Sequence, residues 1–230
     1  MNLKDESVYY LKRVFKSSKL RSKKENYNAF DKYKCIFVHI PKNGGTSIGV
    51  SLLGTRIAHM SALDYQALFG KEAFNSYFKF AFVRNPFTKL VSAYEFMRAG
   101  AYGPNNKENA KNVEIVRRFK NMEEFVMEYL TPDTAKEIRQ FRPQYYYLCD
   151  SDFNLMVDHV GKFEDIQKEY DFIRNKIGTG EPLQKLNVTK SKKDSMQHYY
   201  TSNDMIQKVI SIYEKDFELL GYSKELSAIL

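Results

Sequence analysis

Cys35-Ile36-Phe37-Val38-His39-Ile40-Pro41-Lys42-Asn43-Gly44-Gly45-Thr46-Ser47 is the stretch whose reading decides the fold. An apolar run feeds a Pro-Lys-Asn-Gly-Gly turn, and a Thr-Ser pair then opens a helical stretch. That order predicts a β-strand, an anion-holding loop and a helix in succession. Gly44 and Gly45 let the backbone turn tightly and approach a ligand with no Cβ in the way. The first turn of a helix leaves N–H groups unpaired and carries the positive end of the peptide dipoles, which suits a phosphate or sulfate. Lys42 adds a full positive charge, and Thr46 and Ser47 add hydroxyl donors. Pro41–Ser47 is therefore the expected site of a nucleotide-like anion.

A second unit of the same kind lies downstream. Phe78–Val83 reads as a strand that Arg84-Asn85-Pro86 ends, with Pro86 suited to the first position of a helix. Phe87, Leu90, Val91 and Tyr94 fall on one face of that helix, and Asn85, Thr88, Lys89 and Ser92 on a polar one. The Arg84 fork with the Ser92 hydroxyl is good chemistry for a terminal phosphate. Between the two strands, Ile48–Leu53 continues the first helix until Gly54 ends it, and Met60–Phe69 reads as a short helix. Further on, residues 98–112 read as a loop and Val113–Leu130 as one or two helices. Tyr145–Leu148 and Leu155–Val160 either pair around a turn at Cys149–Asn154 or form separate strands. Ile166–Ile177 reads as a helix, and Met205–Leu220 closes the chain with helical periodicity. This alternation predicts an α/β fold, a P-loop-like, mostly parallel sheet flanked by helices in a single domain. Ligands of such sheets sit at the carboxyl ends of strands, where both marked loops fall.

The 230 residues are 43% hydrophobic and 15% aromatic, enough to bury one sizeable core. Residues 1–33 hold nine Lys or Arg against four acids, with Val8, Leu11, Val14 and Phe15 at helical spacing. They read as a basic, partly helical N-terminal extension, and 34–230 as the domain proper. The formal charge of +8 favours acidic partners, from nucleotides to glycans, nucleic acid and membrane surfaces, and does not choose among them. Cys35 and Cys149 lie far apart, outside any CxxC pair, and read as reduced, buried thiols. No window approaches the roughly 18 consecutive apolar residues of a membrane span. The N-terminus lacks the apolar core, about 7 to 15 residues, of a signal peptide. A soluble cytoplasmic protein is the expectation.

The first loop departs from the nucleoside-triphosphate P-loop, in which Lys directly precedes Ser or Thr. Here Lys42 precedes the glycines instead. The second strand ends in Arg84, where a triphosphate enzyme carries an acid for Mg²⁺. A basic residue there holds an anion directly, so no metal is expected.

Together these stretches resemble the 3′-phosphoadenosine 5′-phosphosulfate (PAPS)-dependent sulfotransferases, and most closely the carbohydrate branch, sulfotransferase family 2. In that family a strand ending in His-Ile-Pro-Lys-x-Gly-Gly-Thr-Ser binds the 5′-phosphosulfate, and a strand ending in Arg-Asn-Pro with a Leu-Val-Ser-Ala-Tyr helix binds the 3′-phosphate. This chain has both, as His39–Ser47 and as Arg84-Asn85-Pro86 through Leu90-Val91-Ser92-Ala93-Tyr94. Phe141-Arg142-Pro143-Gln144, Gly161-Lys162-Phe163-Glu164 and Tyr213–Tyr222 extend the resemblance over residues 34–222. The membrane anchor of Golgi members has no counterpart in it, which implies a soluble, bacterial-type enzyme.

The resemblance implies PAPS as donor and metal-independent transfer of a sulfuryl group to a hydroxyl of a carbohydrate or similar acceptor, with no nucleic acid as partner. Pro41, Lys42, Asn43, Gly44, Gly45, Thr46, Ser47, Arg84 and Ser92 would bind the donor. Lys190 and Ser191 match the family's late loop over the nucleotide. Lys42 is the expected stabiliser of the leaving oxygen. His59, in Ala58-His59-Met60-Ser61 where the family places a histidine before a similar helix, is the expected base, since an imidazole with a pKa near 6.5 is partly neutral at working pH. A surface or helix-capping role is its plainer alternative. His39 and His159 read as strand positions, His198 lies in a polar, tyrosine-rich segment, and Glu95 is the fallback base. Arg142 and Gln144 read as acceptor contacts, with pairing to a nearby acid as the alternative for Arg142. Tyr145, Tyr146 and Tyr147 read as strand packing ahead of a sugar-stacking platform. Two other functions fit the residues less well: a small-molecule kinase using ATP and Mg²⁺, and a non-catalytic polyanion-binding module.

Overall fold

A computed structural model describes residues 27–101, 103, 107–184 and 196–229. Along the chain run α1 (Asn28–Tyr33), β1 (Cys35–Val38), α2 (Gly45–Leu53), α3 (Ala62–Phe69), α4 (Lys71–Ser76) and β2 (Phe78–Val83). Next come α5 (Pro86–Arg98), α6 (Lys107–Arg117), a turn of α-helix (Met122–Glu124) continuing into a π-helical turn (Phe125–Tyr129), and α7 (Pro132–Glu137). Then follow α8 (Tyr145–Leu148), β3 (His159–Lys162), α9 (Ile166–Ile177), α10 (Met196–Tyr199), α11 (Asn203–Ile212) and α12 (Glu214–Leu219). The described residues group into two compact units. One holds the described residues of 27–83 and 144–184, the other those of 84–143 and 196–229.

The first unit holds the sheet. Its three strands lie in the order β1-β2-β3 and are all parallel, as expected of a strand-helix alternation. Cys35 pairs with Phe78 and Val38 with Ala81, while Phe80 pairs with His159 and Val83 with Lys162. All four β1 residues are buried, which is why β1 reads as a continuous apolar run and not as an alternating one. Phe37 and Phe80 stack across the pair with centroids 5.1 Å apart. The short α8 packs against α3.

The second unit is helical. Phe87, Leu90, Val91, Ala93, Tyr94 and Met97 of α5 enter its core. Phe87 packs on Phe217 at 5.0 Å, and Phe125 on Phe141 at the same separation.

Several boundaries correct the sequence reading. Tyr145–Leu148 is a helical turn and not a strand: Cys149 N–H donates to the Tyr145 carbonyl, and only an isolated antiparallel bridge joins Cys149 to Leu155. The expected turn between them is present, because the Asp150 carboxylate accepts from the N–H groups of Asp152 and Asn154. β3 starts at His159, after most of the expected strand. α6 begins inside the stretch read as a loop. Met205–Leu220 is two helices that meet at Tyr213. The amphipathic helix expected within residues 1–26 lies outside the described residues. Both cysteines are free and buried, as expected. No helix of the described residues is long and apolar enough to cross a membrane.

Candidate active site

The glycine loop leaves β1 at Val38 and ends on Gly44, the N-cap of α2. Gly44 has φ 74°, and Lys42, with a side chain to accommodate, has φ 73°. Two left-handed residues in three are what bring the chain round in so short a turn. Neither glycine has room for a side chain. A Cβ on Gly44 would lie 3.0 Å from Phe163 Cε2 and Ile166 Cδ1, and one on Gly45 only 2.0 Å from Cδ2 of His39. Thr46 and Lys42 are half-buried and Ser47 is buried.

Asn43 ties the loop down from behind. It is 1% exposed, and its Nδ2 donates both to the Phe82 carbonyl at the end of β2 and to Oε1 of Gln144, each at 2.8 Å. Both amide hydrogens are thereby used, while Oδ1 has no protein partner. Gln144, read as an acceptor contact, is fully buried, at 0% exposure, and its Oε1 supports the loop through Asn43.

His59 was the expected base, and the loop's own histidine stands next to it. His39 follows β1 and does not belong to it. Its ring, 5% exposed, stacks on Phe37 at 5.6 Å, and its Nδ1–H donates to the Ile57 carbonyl at 2.6 Å. The His39 carbonyl accepts from His59 Nδ1–H at 3.0 Å, and the two rings lie 4.0 Å apart. With Nδ1 protonated, a neutral His59 carries its lone pair on Nε2. Ser61 then caps α3 in a box with Asp64, fixing where the His59 segment ends.

In the second unit, Arg84 Nε–H donates to Thr88 Oγ1 at 2.9 Å, and that hydroxyl donates to the Asn85 carbonyl. Asn85 Oδ1 caps α5 at Phe87 N–H, with Pro86 at the first position. These contacts hold the Arg84 side chain along the start of α5. Ser92 lies on the same helix and is buried to 7% exposure.

Residues 25–223 match the family described as the sulfotransferase family. The chain belongs to that family. It is 27% identical over 168 residues to carbohydrate sulfotransferase 11 of Rattus norvegicus, covering 64% of this chain and 47% of that protein. It is 24% identical over 196 residues to carbohydrate sulfotransferase 10 of Xenopus laevis, covering 74% and 52%. Carbohydrate sulfotransferase 14 of Danio rerio matches at 24% over 168 residues, covering 64% and 44%. The chain spans about half the length of these curated relatives. No solved structure matches it.

In this sulfotransferase-family chain the remaining candidates fall as follows. Arg142 Nε–H donates to the Lys136 carbonyl at 2.7 Å. Its segment is anchored by Lys89, which the sequence reading put on a polar face. Lys89 is 2% exposed, and its ammonium donates to the carbonyls of Gln140 and Arg142 at 3.2 and 2.9 Å. Tyr213 adds a hydroxyl bond to the Phe141 carbonyl at 2.7 Å. Glu95 accepts a hydrogen bond from Tyr199, whose phenol is pushed up to about 12 by burial first and by the Glu95 charge and hydrogen bond after it. His159 pairs with Glu169 at 2.8 Å, and His198 is exposed on α10. Tyr147 is buried, while Tyr145 and Tyr146 are half-buried with centroids 4.5 Å apart. Lys190 and Ser191 lie outside the described residues. Among the described residues no group of three or more His, Cys, Asp or Glu is placed to hold a metal ion.

Proposed function

We propose that this chain transfers a sulfuryl group from PAPS to a hydroxyl of a carbohydrate acceptor, without a metal ion. The observation that carries the reading is the glycine loop ending on the N-terminus of α2, with Lys42 inside it, in a chain of the sulfotransferase family. The names of the carbohydrate sulfotransferase relatives support a glycan as acceptor. Pro41, Asn43, Gly44, Gly45, Thr46 and Ser47 form the loop for the 5′-phosphosulfate. Arg84 and Ser92 take the 3′-phosphate, with Lys190 and Ser191 over the nucleotide. Arg142 is proposed as an acceptor contact.

In the reaction the acceptor oxygen attacks sulfur as its proton passes to Nε2 of His59. A new O–S bond forms, the bond from sulfur to the bridging oxygen breaks, and its electron pair stays on the phosphate of the departing adenosine 3′,5′-bisphosphate. Lys42 neutralises the charge that gathers on that oxygen. Preorganised cationic donors of this kind contribute about 10²–10³ in rate, and a positioned base about 10²–10⁴.

Transfer from radiolabelled PAPS to a glycan pool, with and without a chelator, tests the proposal against phosphoryl transfer from labelled ATP and Mg²⁺. Sulfation that survives the chelator is expected, and label from ATP alone would overturn the proposal. Lys42→Ala and His59→Ala should each lower kcat by about 100-fold or more. A fully active His59→Ala enzyme would remove His59 from the mechanism and leave the donor reading standing.

A further inference from the structure

We propose that the imidazole of His39 is a positioning residue that holds the segment carrying the base, so that His59 keeps one tautomer and one place beside the glycine loop. The inference rests on His59 being that base.

Residues 56–61 belong to no helix or strand, so side-chain bonds, with the burial of Ile57 and Met60, decide where they lie. Residue 39 makes two of them. Its ring donates from Nδ1 to the Ile57 carbonyl at 2.6 Å, and its carbonyl accepts from Nδ1 of His59 at 3.0 Å. One bond pins the main chain two residues before the base, and the other fixes which nitrogen of the base carries hydrogen. The His39 ring also meets the loop, since the space that a Cβ of Gly45 would occupy lies 2.0 Å from Cδ2 and 2.3 Å from Nε2. The same ring thus touches the anion loop on one side and stands 4.0 Å from the base on the other.

Packing alone does not explain a histidine at this position. Its ring stacks on Phe37 and is 5% exposed, surroundings that suit an apolar aromatic ring as well. What phenylalanine lacks is the donor for Ile57. Without it a carbonyl shielded from water loses its partner, and the segment gains the freedom to let His59 leave the His39 carbonyl.

The test compares His39→Phe, which keeps the ring and removes the donor, with His39→Asn, whose amide nitrogen replaces Nδ1. Three quantities are measured on the full chain: kcat, the affinity for adenosine 3′,5′-bisphosphate, and hydrogen exchange across residues 55–60. In His39→Phe, kcat should fall by about 100-fold, as for a reacting group misplaced by about 1 Å, while bisphosphate affinity stays unchanged because the loop keeps its floor. Exchange across 55–60 should quicken, and His39→Asn should restore both the protection and most of kcat. A His39→Phe protein with native protection at 55–60 would overturn the inference, as would an Asn variant no better than Phe. Should His39→Phe not fold, His39→Gln, with its donor one bond too far out, replaces it in the comparison. If the native chain neither transfers sulfuryl groups nor binds the bisphosphate, the functional reading fails, and exchange still decides whether His39 holds the segment.

Discussion

Gly45 and His39 are six residues apart in the chain and share one space. A Cβ on Gly45 would meet the imidazole at 2.0 Å, and the ring cannot swing aside without breaking its bond to Ile57. Gly45→Ala is therefore expected to destabilise the protein by about 1–3 kcal/mol, the usual cost of overpacking. Much of that loss should vanish in Gly45→Ala/His39→Ala, where the ring is gone, and urea midpoints of the four proteins close the cycle. An equal cost of Gly45→Ala with and without the ring would show that something else crowds the site. Lys42 poses the converse case, because its φ of 73° is one that a side chain makes costly. Lys42→Gly should fold at least as stably as the native chain and still lose turnover, separating the backbone's preference from the ammonium's task. A thermal midpoint and a kcat for that one variant settle both halves.

At the scale of elements, the loop is only as well placed as its ties to neighbouring segments. Asn43 joins it to the end of β2 and to the residue before α8 through one amide group. Asn43→Ala leaves the Phe82 carbonyl and Gln144 Oε1 without that donor, at a cost of about 1–3 kcal/mol. Asn43→Asp should be worse, since it sets a carboxylate against two acceptors; denaturant midpoints ranking Asp above Ala would contradict the bonding described. These bonds also show what a sequence can and cannot disclose. β1, the glycine turn and the start of α2 were legible because each depends on residues within a few positions of itself. The bonds of Asn43 span 39 and 101 positions, and no local pattern announces them. Gln144 reads as an acceptor contact from its neighbours in the chain, and nothing near it announces its bond to Asn43. Lys89 looked like a polar-face lysine because its carbonyl partners lie 51 and 53 residues away. Tyr145–Leu148 has strand-like composition, yet burial of Tyr147 and Leu148 goes with a helical turn, a tertiary override of propensity. The break at Tyr213 was hidden by apolar periodicity that runs on through it, and its hydroxyl is committed to Phe141, 72 residues earlier.

Across the whole molecule, buried acids that titrate only at high pH set an alkaline limit on stability. Burial pushes the Cys35 thiol from 9.0 up to about 12. The phenols of Tyr65, Tyr200 and Tyr213 are raised well above 10.0, by burial first and by neighbouring phenols or carboxyls after it. Tyr200 and Tyr213 use their protons, donating to the carbonyls of Phe87 and Phe141 at 2.9 and 2.7 Å. In the unfolded chain these groups lose protons near their ordinary values, while the folded chain still holds them. Above those values the unfolded state binds fewer protons, so stability falls as pH rises. It is fully present below about pH 9 and drains away as pH climbs through 10 toward the folded values. Tyr65 and Cys35 belong to the unit with the sheet, and Tyr200 and Tyr213 to the helical one, so neither unit escapes. Urea midpoints taken from about pH 8 to about pH 11 should decline, and tyrosinate absorbance from the buried phenols should appear together with unfolding. Tyr213→Phe removes one such group and should flatten the decline, at the cost of a lower midpoint at neutral pH from the lost bond to Phe141. A midpoint that holds steady to pH 11, or buried tyrosinates forming in a chain that stays folded, would show that these side chains reach water in the native state.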